Sequence, residues 1–320
     1  MPVFDPSATL HFVINGRSGS QDGDATRETI ERALSATGRR GELHFCEPAD
    51  LPRVASRLAA HCGSEGSALV AVGGDGSINT AAQAAHAAGC VLGVIPRGTF
   101  NYFARTHGIA TDVAEAMAQL LRARPEPVQV AAVNQRLFLV NASVGLYPDL
   151  LEDREAWKRR YGRSRLVALG AALATVMRSR QRLTLQIALG GAQREVRTLT
   201  LFVGNNRLQL EQVGMVSGPP ANGARDNGRI TAVMLKPIGT LAMLGLMLRG
   251  AMGTLGDADG VEHFSFEQMV VKPSRLRRLR RTKIAFDGEV ERMKPPLTFR
   301  VLTTPLYLLK PPPDDREPPA

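Results

Sequence analysis

Two glycine-bearing loops carry the residues best able to do chemistry in this chain. Gly73-Gly74-Asp75-Gly76-Ser77 follows the apolar run 68–72, and Pro96-Arg97-Gly98-Thr99-Phe100-Asn101 follows a second apolar run, 90–95. Glycine has no side chain and accepts positive φ, so an anion can come within hydrogen-bonding distance of the backbone N–H groups. Residues 78–88, capped by Ser77 and ended by Gly89, read as a helix. The first loop would then sit at a helix N-terminus, where anions are favoured. If the two strands are neighbours, Gly73, Gly74, Asp75, Gly76, Ser77, Gly98, Thr99 and Asn101 line one cradle for nucleotide phosphates. Either loop alone would pass for an ordinary strand-ending turn; the pair points to a ligand. A third segment, Phe286-Asp287-Gly288-Glu289, places two carboxylates at a tight turn. By itself Asp-Gly reads as a hairpin tip, which is compatible with a base carried on that tip.

These residues need a scaffold, and the hydrophobic pattern supplies one. Residues 10–124 alternate short apolar strands with amphipathic helices, which predicts a Rossmann-like α/β domain with a mainly parallel sheet. Pro125-Glu126-Pro127 marks its end. Beyond it, residues 128–133, 137–143, 183–189, 197–204, 230–235 and 264–271 read as strands, with helical insertions over 166–180 and 238–252. The expected division is a nucleotide-binding domain over 1–127, a β-rich domain over 128–310, and a Pro-rich, charged tail over 311–320 that should be disordered. At 320 residues the chain has material for two cores.

The motifs together resemble those of the diacylglycerol kinase catalytic-domain family, written GGDGT, PxGTxND and, far downstream, DGE. Asn15-Gly16-Arg17-Ser18-Gly19 after the first strand resembles the family's NPxSG loop, with glycine in place of proline. Ser77 keeps the hydroxyl of the usual threonine, whereas Tyr102 stands where the family has the second acid of PxGTxND. Asn205-Asn206 and residues 219–231 resemble a segment written PxAxxDDGxLD, of whose acids only Asp226 is present. The resemblance spans residues 15 to about 311. It implies a fold akin to NAD kinases, a second domain that is a β-sandwich whose last strands, residues 297–309, return to the first, and an active site in the cleft between the two. The implied activity is an ATP-dependent lipid kinase. ATP and Mg²⁺ would be held by Asn15 and the two glycine loops, with Asp75 acting through the metal or the phosphates. Asp287 would be the general base toward a lipid hydroxyl, Glu289 would assist it or bind metal, and Asp226 would be a ligand of a structural Mg²⁺ site. A homodimer is one state open to the family. Two rival readings are an NAD kinase, which also uses GGDG, and a non-catalytic, membrane-associated binding protein built on the same fold. GxxxxGK[ST] is absent, and GGDGS does not satisfy GxGxxG.

Composition bounds the partners. The net charge is +10, much of it from Arg154, Lys158, Arg159, Arg160, Arg163 and Arg165, and from Lys272, Arg275, Arg277, Arg278, Arg280, Arg281 and Lys283. Such faces adsorb to anionic lipid, at ~1 kcal/mol per basic residue near the surface. Nucleic acid would be attracted too, but aromatics are only 5 % of residues, leaving few stacking platforms and no recognised binding module. Cys46, Cys62 and Cys90 are odd in number and form no CxxC, as for reduced thiols of a cytosolic protein. No secretory leader is legible at the N-terminus. The most apolar helix, 238–252, contains Arg249 and falls short of the ~20 residues needed to span a bilayer. It reads as a buried helix or as a surface that dips into lipid. The expected location is cytoplasmic, peripheral at the inner membrane surface.

Overall fold

The computed structural model describes residues 2–16, 20–145, 148, 183–205, 228–236, 261–273 and 281–316. In chain order the elements are β1 (Leu10–Asn15), α1 (Ser20–Thr37), β2 (Gly41–Cys46), α2 (Leu51–Glu65), β3 (Ala68–Gly73), α3 (Asp75–Ala88), β4 (Val91–Pro96), α4 (Tyr102–Thr106), α5 (Val113–Arg122) and β5 (Arg124–Val128). There follow β6 (Ala131–Val133), β7 (Arg136–Phe138), β8 (Asn141–Gly145), β9 (Leu183–Leu189), β10 (Ala192–Thr198), β11 (Thr200–Gly204), β12 (Ile230–Leu235), β13 (Val261–Phe266), β14 (Gln268–Pro273), β15 (Thr282–Phe286), β16 (Glu289–Met293), β17 (Leu297–Val301) and β18 (Leu306–Lys310). The helical insertions read over 166–180 and 238–252, Asp226 and Asn206, and the basic runs 154–165 and 275–280 lie outside the described residues.

The chain divides into two compact units, residues 2–130 with 302–316, and residues 131–301. The first unit carries one sheet in the order β2-β1-β3-β4-β18-β5. Its first four strands are parallel, and β18 joins β4 in parallel through Leu308 and Leu92. Every residue of β3 and of β4 is buried, as a parallel strand covered on both faces requires. Helix α2 buries Leu51, Val54, Ala55, Leu58, Ala59 and Cys62, a stripe spaced three and four apart, and ends at Gly66 in the left-handed conformation. Pro125-Glu126-Pro127, expected to mark the end of the first domain, stands just before the end of that unit's first segment at Val130. It lies within β5, an antiparallel edge strand paired to β18, where prolines that cannot donate are tolerated. Nor is the tail disordered up to Arg316. Pro313–Asp315 forms a 3-10 turn, Gln119 Nε2 donates to the Asp315 carbonyl, and Arg316 pairs with Glu126. All three cysteines are unpaired thiols, and burial, then the nearby Cys62, pushes Cys90 up to about 12.

The second unit contains two antiparallel sheets, β10-β9-β14-β17-β6-β7 and β13-β12-β11-β8-β15-β16. Their apolar faces share one core, with Ile187, Met269 and Phe299 from the first sheet and Val144, Leu201 and Ile284 from the second. Four runs that read as single strands are each cut in two. Residues 128–133 are split between β5 and β6, 137–143 between β7 and β8, 197–204 between β10 and β11, and 264–271 between β13 and β14, with the halves in different sheets. Leu139 and Val140, at one such corner, are as buried as strand residues, so the hydrophobic pattern passes through the corner without a mark.

Candidate active site

The order β2-β1-β3-β4 reverses direction between β1 and β3, and open α/β sheets bind ligands at the carboxyl ends of the strands flanking such a point. Asn15 ends β1 there, and Gly73-Gly74-Asp75-Gly76-Ser77 leaves β3 there. β4 is in register beside β3, with Gly73 opposite Pro96, so the second glycine loop emerges next to the first. Arg97 N–H donates to the Gly73 carbonyl at 2.8 Å. The loops touch backbone to backbone: a Cβ on Gly98 would lie 2.9 Å from Gly74 Cα, and one on Gly73 would lie 2.7 Å from Ser77 Cβ. The glycines are thus needed for the close approach itself.

The structure changes the role expected of three residues in this cradle. Gly74, not Ser77, is the N-cap of α3, and the helix starts at Asp75. Among the described residues no side chain caps it, which leaves the N–H groups of its first turn to an anion. Ser77 lies inside that turn and its Oγ accepts from Asn15 Nδ2 at 3.2 Å, which ties the end of β1 to α3. Asn101 adopts positive φ (50°) and folds back on Gly98: its Oδ1 accepts from Gly98 N–H at 2.8 Å and its Nδ2 donates to the Gly98 carbonyl at 3.0 Å. Asn101 therefore shapes the second loop, and the Gly98 N–H is already engaged. Thr99 lies in the same loop, and the adjacent Phe100 and Tyr102 rings stack at 5.5 Å and 6°.

Asp75 is the chemically distinctive residue. Its Oδ1 is buried and has no hydrogen-bond partner among the described residues. Burial raises the pKa of its carboxyl, opposed by the backbone N–H groups of Phe103, Asn101 and Tyr102. Those donors begin α4, so the carboxylate ties α4 to α3; the oxygen without a partner, Oδ1, is the one that would suit a cation.

In the second unit the Asp287 hairpin differs from expectation. Phe286 pairs with Glu289, and Asp287 (φ 46°) and Gly288 (φ 89°) form a two-residue turn of the positive-φ kind favoured between twisted strands. The Asp287 side chain does not project from that tip. The residue is 6 % exposed, and its carboxylate is turned onto the corner between β7 and β8. Oδ2 accepts from Leu139 N–H at 2.7 Å, and Oδ1 accepts from Val140 and Asn141 N–H at 2.9 and 3.0 Å. Asp287 N–H donates to the Asn141 carbonyl at 3.1 Å. Both oxygens are occupied by main-chain donors, the reverse of a base waiting for a proton. Asn205 braces the same corner, donating from Nδ2 to the Leu139 carbonyl at 2.9 Å and from its backbone N–H to Val140. Sequence reasoning missed this amide trio because main-chain donors leave no residue-type signal. Glu289, two residues on, is exposed. Its pKa is raised by desolvation, with Arg136 lowering it and Glu291 raising it. Water reaching the exposed side chain argues for a modest shift.

Comparison with known proteins agrees with this reading of the first unit. Residues 9–133 match the family model described as the diacylglycerol kinase catalytic domain. A protein of Cronobacter sakazakii named "Probable lipid kinase YegS-like" is 31 % identical over 146 residues, covering 43 % of this chain and 46 % of that one. One of the same name from Klebsiella pneumoniae is 38 % identical over 79 residues, 24 % of this chain and 27 % of its own. The chain thus spans about a quarter to a half of the length of these relatives. A crystal structure of a diacylglycerol kinase from Bacillus anthracis superposes with a TM-score of 0.66 at 18 % identity, covering 95 % of this chain and 97 % of that one, which shows a common fold. The family that residues 9–133 match is the one whose motifs this sequence resembles.

Proposed function

We propose that the protein is an ATP-dependent kinase that transfers the γ-phosphate to a hydroxyl group of a lipid. The observation that carries this reading is the cradle at the switch point, with two glycine loops in backbone contact, an uncapped helix N-terminus, and the bare Asp75 Oδ1. The names given to the relatives, lipid kinases, support lipid as the acceptor class. Net charge +10 supports meeting that lipid at an anionic membrane surface. No helix among the described residues is long and apolar enough to cross a membrane.

On this reading, the N–H groups at the start of α3 receive phosphate oxygens. Asp75 would hold the Mg²⁺ that accompanies the nucleotide, and the ion would supply charge neutralisation on the transferring group. Asn15 and Ser77 fix the end of β1 against α3, and Asn101 fixes the second loop. Glu289 takes the proton of the acceptor hydroxyl, since its carboxylate is exposed and its raised pKa moves it toward the range useful to a general base. Asp287 is a positioning residue, holding the hairpin that presents Glu289.

Calorimetric titration with ATP tests the cradle. Mg²⁺ should strengthen binding to the wild type, and Asp75→Asn should lose that Mg²⁺ dependence. A variant whose binding still responds fully to Mg²⁺ contradicts the role given to Asp75.

A further inference from the structure

Away from the cradle, three histidines and two glutamates gather where β1, β2 and α2 meet. His11 of β1 lies opposite Glu42 of β2 in the parallel register, and His44, two residues beyond Glu42, falls on the same face of the edge strand. His11 is 3 % exposed, and among the described residues neither of its ring nitrogens has a hydrogen-bond partner; the buried Nε2 of His44 has none either. Orphaned buried donors and acceptors are costly, so an imidazole bare at both nitrogens calls for a ligand.

The spacing indicates which ligand. Glu42 Oε2 stands 3.5 Å from His11 Nδ1 and 3.6 Å from His44 Nε2, too long for good hydrogen bonds. Ligand atoms about 2.0–2.2 Å from a tetrahedral Zn²⁺ lie roughly 3.3–3.6 Å from one another. The three ligand atoms all fall within 4.8 Å of one another. His61 and Glu65 form a neighbouring group that shares His11, with His61 edge-on to its ring at 5.1 Å. The first group is the better site because one carboxylate oxygen lies between two imidazoles whose facing nitrogens are both buried and bare.

We propose that His11, Glu42 and His44 form a divalent transition-metal site of the zinc class, distinct from the nucleotide cradle. Two imidazoles and one carboxylate suit Zn²⁺ rather than Mg²⁺ or Ca²⁺, which prefer all-oxygen shells. Three protein ligands leave the fourth position to water, which reaches the site past the exposed Glu42. The ion cross-links the edge strand β2 to β1.

The test is equilibrium binding of Zn²⁺ to the untagged full chain, with Co²⁺ as the spectroscopic probe. One ion per chain should bind, with visible bands of four-coordinate cobalt, and Zn²⁺ should raise the melting temperature. Glu42→Gln and His44→Ala change partly exposed side chains, so they should fold. Each should weaken binding roughly tenfold or more and abolish the thermal shift, while His61→Ala should bind as the wild type does. No saturable binding by the wild type, binding that survives both substitutions, or loss in His61→Ala with retention in His44→Ala would overturn the assignment.

Discussion

Replacing Asp287 with asparagine isolates what its charge does. Asparagine tolerates the positive φ of 46° as aspartate does, so the turn gains no backbone strain. What changes is the acceptor count. The carboxylate takes three main-chain donors, whereas the amide keeps one oxygen and turns its NH₂ toward a fellow donor. The best orientation retains Val140 and Asn141 on the oxygen and leaves Leu139 N–H facing the NH₂ in a buried corner. Losing a hydrogen bond to a charged acceptor costs ~1.5–3 kcal/mol, and the other two fall from charge-assisted to neutral, at roughly 0.5 kcal/mol or more each. The sum is about 3 kcal/mol. For a unit of this size, 1 kcal/mol moves the midpoint by about 2–4 °C, so Asp287→Asn should melt roughly 6–12 °C lower. Thermal unfolding of the full chain, followed by circular dichroism, reads this directly. A midpoint within about 2 °C of wild type would refute the structural role of Asp287 and restore it as a candidate base.

Glu289→Gln should leave the melting temperature unchanged and lower kcat by about 10²–10⁴-fold. In the wild type, activity should fall as pH drops through the raised pKa of Glu289, so the acid limb should lie above that of an ordinary glutamate. Gly98→Ala places a Cβ 2.7 Å from Asn101 Oδ1 and 2.9 Å from Gly74 Cα. It should force the two loops apart, costing about 1–3 kcal/mol of stability and weakening ATP binding, measurable by calorimetry. Burial, then the charges of Lys310 and Arg316, pushes His107 down to about 3. A histidine depressed in the folded state contributes stability that is complete above its unfolded pKa of 6.5 and is lost as pH falls toward the folded value. His107 is partly exposed, which reduces the effect. The wild type should therefore lose on the order of 2 kcal/mol more than His107→Gln between about pH 7 and pH 4 in urea titrations.

The first unit was legible because its signals are local. Buried runs such as Ala68–Gly73 bounded by glycine declare parallel strands, and Gly89 ends its helix in the left-handed conformation as its position suggested. The adjacency of the two glycine loops followed once β3 and β4 paired. What the sequence hid was of two kinds. Corners such as Leu139-Val140 stay buried while the chain changes sheet, so hydrophobicity alone cannot divide β7 from β8. Side-chain orientation was the other. A turn tip suggested an outward Asp287, but three main-chain donors on a segment nearly 150 residues earlier turn it inward. His11, Glu42, His44 and His61 likewise carry no motif spacing, because the sheet register and α2 bring them together.

The most direct test of the central claim is transfer of labelled γ-phosphate from ATP with Mg²⁺ onto a total lipid extract, with NAD as a parallel acceptor. Label should appear in the organic phase on a hydroxyl-bearing lipid, be lost with Glu289→Gln and be absent from NAD. Label on NAD, or on no acceptor from a folded, ATP-binding protein, would contradict that claim.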